Sequence, residues 1–167
     1  MIYLDMDGVI VDFFTGLAEF YKVSHWKEIE EHKIFALKGT NFFYRLNPYV
    51  GDNASTTLIN YVNAVSKGNW GICTSPLTGD RDNSAYHKRR WLEDREWFPG
   101  TNRFIVTEHK ENYATAPFDG KPNILVDDKP ANIKAWEDKG GIGIRYQANE
   151  DDLVEYLFVK LNEALKA

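Results

Sequence analysis

The sequence predicts an α/β fold on a mainly parallel sheet, with helices on its faces and a small helical insertion after the first strand. Three observations predict it. Short apolar runs, too brief for helices, alternate with longer amphipathic stretches. Each run is flanked by turn residues, as buried parallel strands usually are. Roughly 45 residues then separate the first run from the next long helical pattern, more than one crossover needs.

In chain order, Met1-Ile2-Tyr3-Leu4 is the first strand and ends on Asp5. The stretch from about Phe14 to Pro48 is aromatic-rich and reads as the insertion, set over the carboxyl ends of the strands. Asp52 or Asn53 can cap a helix whose face carries Leu58, Ile59, Val62 and Val65, and Gly68 stops it. The second strand, Trp70-Gly71-Ile72-Cys73, ends on Thr74. A helix from about Asn83 to Trp97 leads to the third strand, Phe104-Ile105-Val106, which ends on Thr107. Asn123-Ile124-Leu125-Val126 ends on Asp127. Pro130 then opens a helix that Gly140-Gly141 stops. Ile142-Gly143-Ile144 is the fifth strand. The last helix begins among Glu150, Asp151 and Asp152 and buries Leu153, Leu157, Leu161 and Leu165. The expected division is a Rossmann-like core of residues 1–13 and 49–167 and a helical cap of residues 14–48.

Composition narrows the function. At 167 residues the chain suits one domain, and 43% hydrophobic with 27% charged residues is globular composition. Twenty basic against twenty-five acidic side chains give a net charge of −5, which argues against a binder of long nucleic acid. The single cysteine, Cys73, forms no internal disulfide and fits a reducing compartment. With acids at positions 5 and 7 and no membrane-length apolar run, the expectation is a cytoplasmic protein without membrane attachment.

Ligands of open parallel sheets bind beyond the carboxyl ends of the strands. There the sequence sets Asp5 and Asp7, Thr74 and Ser75, and Asp127 and Asp128. Four carboxylates on one rim repel unless compensated, and a hard divalent cation such as Mg²⁺ is the natural compensation. A threonine hydroxyl, backbone N–H groups and a lysine beside it make a phosphate cradle. Singly, each piece has a milder reading: a turn, a helix cap, a strand end. Their joint placement at three strand ends favours function.

The blocks DMDGVIVDF from Asp5, NFFYRLNP from Asn41, ICTSP from Ile72, VTEHK from Val106 and LVDDKP from Leu125 carry a resemblance. The chain resembles the haloacid dehalogenase-like phosphohydrolases and, within them, is similar to the 5′(3′)-deoxyribonucleotidases. The likeness spans the strands and little of the insertion. It implies that Asp5 attacks phosphorus to form an aspartyl-phosphate, with Asp7 as general acid and base. It implies Thr74 on a phosphoryl oxygen, with Ser75 beside it, and Mg²⁺ among Asp5, the Asp7 carbonyl and Asp127 or Asp128. Lys88 and Lys110 complete the site, without a settled division between them. Phe13 and Phe43 wall a base pocket.

The chain departs from the family pattern at Glu108, where members carry arginine, and offers Thr78 and then Arg81 where a basic residue soon follows Ser-Pro. The insertion is also shorter. The expected partner is a small nucleotide, with no long nucleic acid and no membrane; a homodimer is the assembly carried forward, although the sequence does not fix it. The competing functions are a phosphatase of another small monoester or of a nucleic-acid end, and a binding domain without turnover. His25, His32, His87 and His109 lack metal-ligand spacing. Ser75 lacks a G-x-S-x-G setting, and Gly140-Gly141-Ile142-Gly143 precedes a strand, so it is a helix stop and no dinucleotide loop.

Overall fold

The structure is a computed structural model describing residues 1–167. All five expected strands form: β1 (Ile2–Leu4), β2 (Trp70–Thr74), β3 (Phe104–Val106), β4 (Ile124–Asp127) and β5 (Ile142–Arg145). With them come α1 (Phe13–Phe20), α2 (Glu31–Phe35), α3 (Ala54–Val65), α4 (Arg81–Asp94), α5 (Pro130–Asp138) and α6 (Val159–Leu165). The strands make one sheet in the order β3-β2-β1-β4-β5, and every neighbouring pair is parallel. The chain winds outward from β1 through β2 and β3, then crosses back and winds the other way through β4 and β5. That reversal beside β1 leaves a crevice at the strand ends, where such sheets bind ligands. Leu4 lies opposite Ile72 and Val126, so Asp5 and Asp127 leave the sheet at one edge.

Successive strand residues point to opposite faces, and both faces are covered. Ile2, Leu4, Ile72, Ile124, Val126 and Ile144 join α3, α4 and the C-terminal helix in a cluster of 25 buried residues. Tyr3, Cys73 and Leu125 meet Ile133 and Trp136 of α5 on the thinner side. Burial pushes the Cys73 thiol up to about 12, so it is an inert core group.

The insertion leaves and rejoins the core through a narrow neck. Val11 bridges Pro48, and the Asp12 N–H donates to the Asn47 carbonyl at 2.8 Å. The Asp12 carboxylate also caps α1 by accepting from the Thr15 N–H. Beyond the neck, Leu17, Ile29, Leu37, Phe42, Phe43 and Leu46 belong to the same buried cluster as the sheet. The insertion rests on α4, where Trp91 Nε1 donates to the Leu46 carbonyl at 2.7 Å and Asn83 Nδ2 to the Thr40 carbonyl at 2.9 Å.

Three helix expectations need correction. Neither Asp52 nor Asn53 caps α3 with its side chain; both take left-handed backbone angles, φ 54° and 53°. The helix expected over 83–97 spans Arg81–Asp94, because Glu96 turns the chain with φ 60°. The last helix opens as a π-helical stretch, Leu153–Phe158. Its angular step differs from that of an α-helix, so Leu157 and Leu161 are buried while Leu153 is only half-buried and Leu165 is exposed. No helix is long and apolar enough to cross a membrane.

Candidate functional site

β1 delivers Asp5 and then turns sharply. The Met6 carbonyl accepts from the N–H groups of Val9, Ile10 and Val11 at 3.1, 3.0 and 2.9 Å, which brings Val11 beside Asp7. Gly8 makes the turn possible. Its φ is +85°, and a Cβ there would collide with the Asp128 carboxylate.

Two buried lysines pair with three of the four acids, and Asp128 has no lysine partner. Lys110, from the helical turn after β3, puts Nζ 2.6 Å from Asp127 Oδ2 and 3.0 Å from Asp5 Oδ1. Burial disfavours its charge, but the Asp5 and Asp127 carboxylates more than offset this and raise its pKa. Lys88, from α4, sets Nζ 3.1 Å from Asp7 Oδ2, 2.8 Å from Thr74 Oγ1 and 2.8 Å from the Ser75 carbonyl. Its Nζ also lies 4.5 Å from the centre of the Phe43 ring. Both lysines therefore belong to the site, one at each end.

Oxygen atoms of Asp5, Asp127 and Asp128 all lie within 4.8 Å of one another, a group that can hold a metal ion. Asp127 is completely buried and also accepts from the Lys129 N–H at 2.9 Å and Asn132 Nδ2 at 3.1 Å. Asp7 is not in this side-chain group, since its carboxylate turns to Lys88; only its backbone carbonyl, which no hydrogen bond reaches, is left to join. Burial pushes Asp5 up to about 7, with Asp127 adding to the rise and Lys110 opposing it. Burial also pushes Asp128 up to about 8, reinforced by Asp5, Asp127 and Asp7. Four carboxylates facing two ammonium groups carry two surplus negative charges when all are ionised. One divalent cation cancels them. The all-oxygen donor set, the surplus charge and the free Asp7 carbonyl suit a hard cation.

The other expected residues fall as follows. Thr74 closes β2 fully buried, and Ser75 enters by its carbonyl, with no hydrogen bond to its hydroxyl. Phe13 and Phe43 stack on each other, centroids 6.3 Å apart, and Phe43 is 8% exposed. Its neighbours are Phe13, Phe42 and Lys88, which leave little of its ring open, while Phe13 is half-buried. Next to Ser75, a cleft of about 810 Å³ is lined by Pro76, Asp80, Arg81, Asn83, Thr107 and Glu108 among others. Arg81 and Glu108, the two departures seen in the sequence, both line it. His25, His32 and His109 are exposed and His87 is half-buried.

Sequence reasoning missed three participants. Asn132 sits two residues after Pro130, and its place in the first turn of α5 was the available signal. The Lys129 N–H follows from the same turn. Tyr49 carried no local signal; only the neck places it near the acids. A scan against protein-family models and a search of curated proteins find no match to this chain.

Proposed function

We propose that the chain is a Mg²⁺-dependent phosphohydrolase of the haloacid dehalogenase-like type, acting on deoxyribonucleoside or ribonucleoside monophosphates. The observation that carries this reading is the division of the acids. Asp5 lies with Asp127 and Asp128 beside Lys110, while Asp7, two residues on, faces Lys88 and the Thr74 hydroxyl's neighbourhood. Two carboxylates in different surroundings suit two roles. Asp5 attacks phosphorus, a P–O bond forms, and the substrate alcohol leaves with a proton from Asp7. Asp7 then takes a proton from the water that hydrolyses the aspartyl-phosphate, which frees Asp5 and phosphate. Lys88 and Thr74 supply donors for the phosphoryl oxygens, and Lys110 keeps Asp5 oriented. Asp5, the Asp7 carbonyl and Asp127 or Asp128 would hold Mg²⁺, whose charge offsets that of the dianionic substrate.

The test is a screen of nucleoside and sugar monophosphates with and without Mg²⁺, run beside Asp5→Asn. Turnover should need the metal and fall by several orders of magnitude in the variant. Activity in excess chelator, or a variant within tenfold of wild type, sinks the reading. A second reading, a small monoester without a base, is favoured by the mutual stacking of Phe13 and Phe43. It predicts that sugar phosphates outrun nucleotides in the same screen.

A further inference from the structure

The loops that follow β2 and β3 each reach into the site and each wall the cleft beside it. The first gives the Ser75 carbonyl to Lys88 Nζ at 2.8 Å and continues into the cleft as Pro76. The second is tied to the first by the Thr107 N–H, which donates to the Thr74 carbonyl at 2.9 Å. It gives Glu108 to the cleft and, two residues on, sends Lys110 Nζ to within 3.0 Å of Asp5. The space between these loops, about 810 Å³, thus adjoins the rim that carries Asp5, Asp7 and Thr74. Polar side chains, glycine and a single proline line it, which suits a hydroxylated group better than an apolar one.

The charges of the cleft are unbalanced. Asp80, Asp82 and Glu108 face one guanidinium, that of Arg81. Arg81 is already engaged, since Nε donates to the Val106 carbonyl at 3.2 Å and Nη1 lies 3.7 Å from Asp82. Asp80 Oδ2 accepts from the Gly39 N–H at 3.1 Å and from Asn83 Nδ2 at 3.0 Å, neutral donors that leave its charge uncancelled. His109 Nδ1 lies 3.4 Å from Glu111, which is not part of the lining. Glu108 is exposed and pairs with none of these bases. Asp80 has a structural duty, because it ties the tip of the insertion to the start of α4. Glu108 ties nothing, so its charge is free to act on what enters the cleft.

We propose that Glu108 is a specificity-determining residue: the cleft takes the far end of the leaving alcohol, and the Glu108 carboxylate turns away substrates that carry a second phosphate there. The inference rests on the phosphohydrolase reading and deepens it by naming the substrate class, monoesters whose alcohol carries no further anion. A second phosphate would set its negative charge against a wall that is already negative, and such repulsion is a common way to reject a near-substrate.

The test compares adenosine 5′-monophosphate with adenosine 3′,5′-bisphosphate, and fructose 6-phosphate with fructose 1,6-bisphosphate, so that both kinds of alcohol are covered. With Mg²⁺ at low salt, wild-type kcat/KM should favour the monophosphate about tenfold in whichever pair is turned over. Glu108→Gln should shrink that ratio and Glu108→Arg should erase it. Glu163→Arg, the same charge change on an exposed residue of α6, should keep it. Raised salt should shrink the wild-type ratio as well, because screening weakens the repulsion. A wild type that does not discriminate, a ratio that Glu108→Arg leaves in place, or an equal shift in Glu163→Arg overturns the proposal. A wild type that turns over none of the four compounds overturns the phosphohydrolase reading instead. Calorimetric affinities of the same pairs for the Mg²⁺-loaded proteins then decide the cleft: a preference that Glu108→Arg removes upholds it, and an unchanged preference or no binding sinks it.

Discussion

At the scale of single residues, the site depends on one missing side chain as much as on the charged ones. Gly8 lets the Asp128 carboxylate approach the turn after β1 while holding a positive φ. Gly8→Ala adds both a collision and backbone strain of about 1–3 kcal/mol. The expected outcome is weaker Mg²⁺ binding by calorimetry together with a lower melting temperature. Unchanged metal affinity would mean that Asp128 is no ligand. Asp5, Asp7, Asp127 and Asp128 were all legible in the sequence because strand ends set them at one rim. Their lysine partners were not assignable, because Lys88 and Lys110 reach the rim from different elements and spacing does not fix reach. Tyr49 and Asn132 stayed hidden for the same reason.

Among the elements, α4 is the one that joins chemistry to architecture. It carries Lys88 into the site and, one turn on, Trp91, which is completely buried and bonded to the Leu46 carbonyl. Trp91→Phe leaves that carbonyl without its donor and opens space, at an expected loss of about 2–4 kcal/mol from the unmade hydrogen bond and the cavity together. Hydrogen exchange should quicken in residues 42–46 before it does in β1. Equal quickening everywhere would show that the contact does not anchor the insertion. The strands were legible to within a residue or two, since apolar runs with turn flanks mark a buried parallel sheet. Helix ends were less so. The end of α4 depends on Glu96 accepting a left-handed angle that sequence normally assigns to glycine, and the π-helical stretch shifts a leucine stripe counted at α-helical spacing. The insertion's aromatics read as a separate cap, yet its apolar residues share the sheet's core.

For the whole molecule, the concentrated acids make stability depend on pH in the direction opposite to that of ordinary surface carboxylates. Asp5 and Asp128 are pushed up to about 7 and about 8, against roughly 4 for an unfolded aspartate. Between those values the native state keeps protons that the unfolded chain has released, so stability is greatest below pH ~4 for these groups and falls as pH rises toward ~8. In chelator, the melting temperature should drop from pH 6 to pH 8.5, and Mg²⁺ should flatten the slope by taking the place of the protons. A melting temperature that rises over this interval without metal would show that the acids are already compensated. The central position of β1 has a consequence for how the molecule comes into being. Residues 2–4 find their partners only at residues 70–72 and 124–126, so the first strand made waits for the chain's distant parts. Pairings that close such long loops are entropically slow. During synthesis the strand that ends on Asp5 lacks its second flanking ladder until β4 emerges, and the four acids meet only when nearly all of the sheet exists. A nascent or truncated chain ending before β4 is thus unable to gather the three carboxylates that can hold a metal ion, and the site is complete only once the central strands are paired.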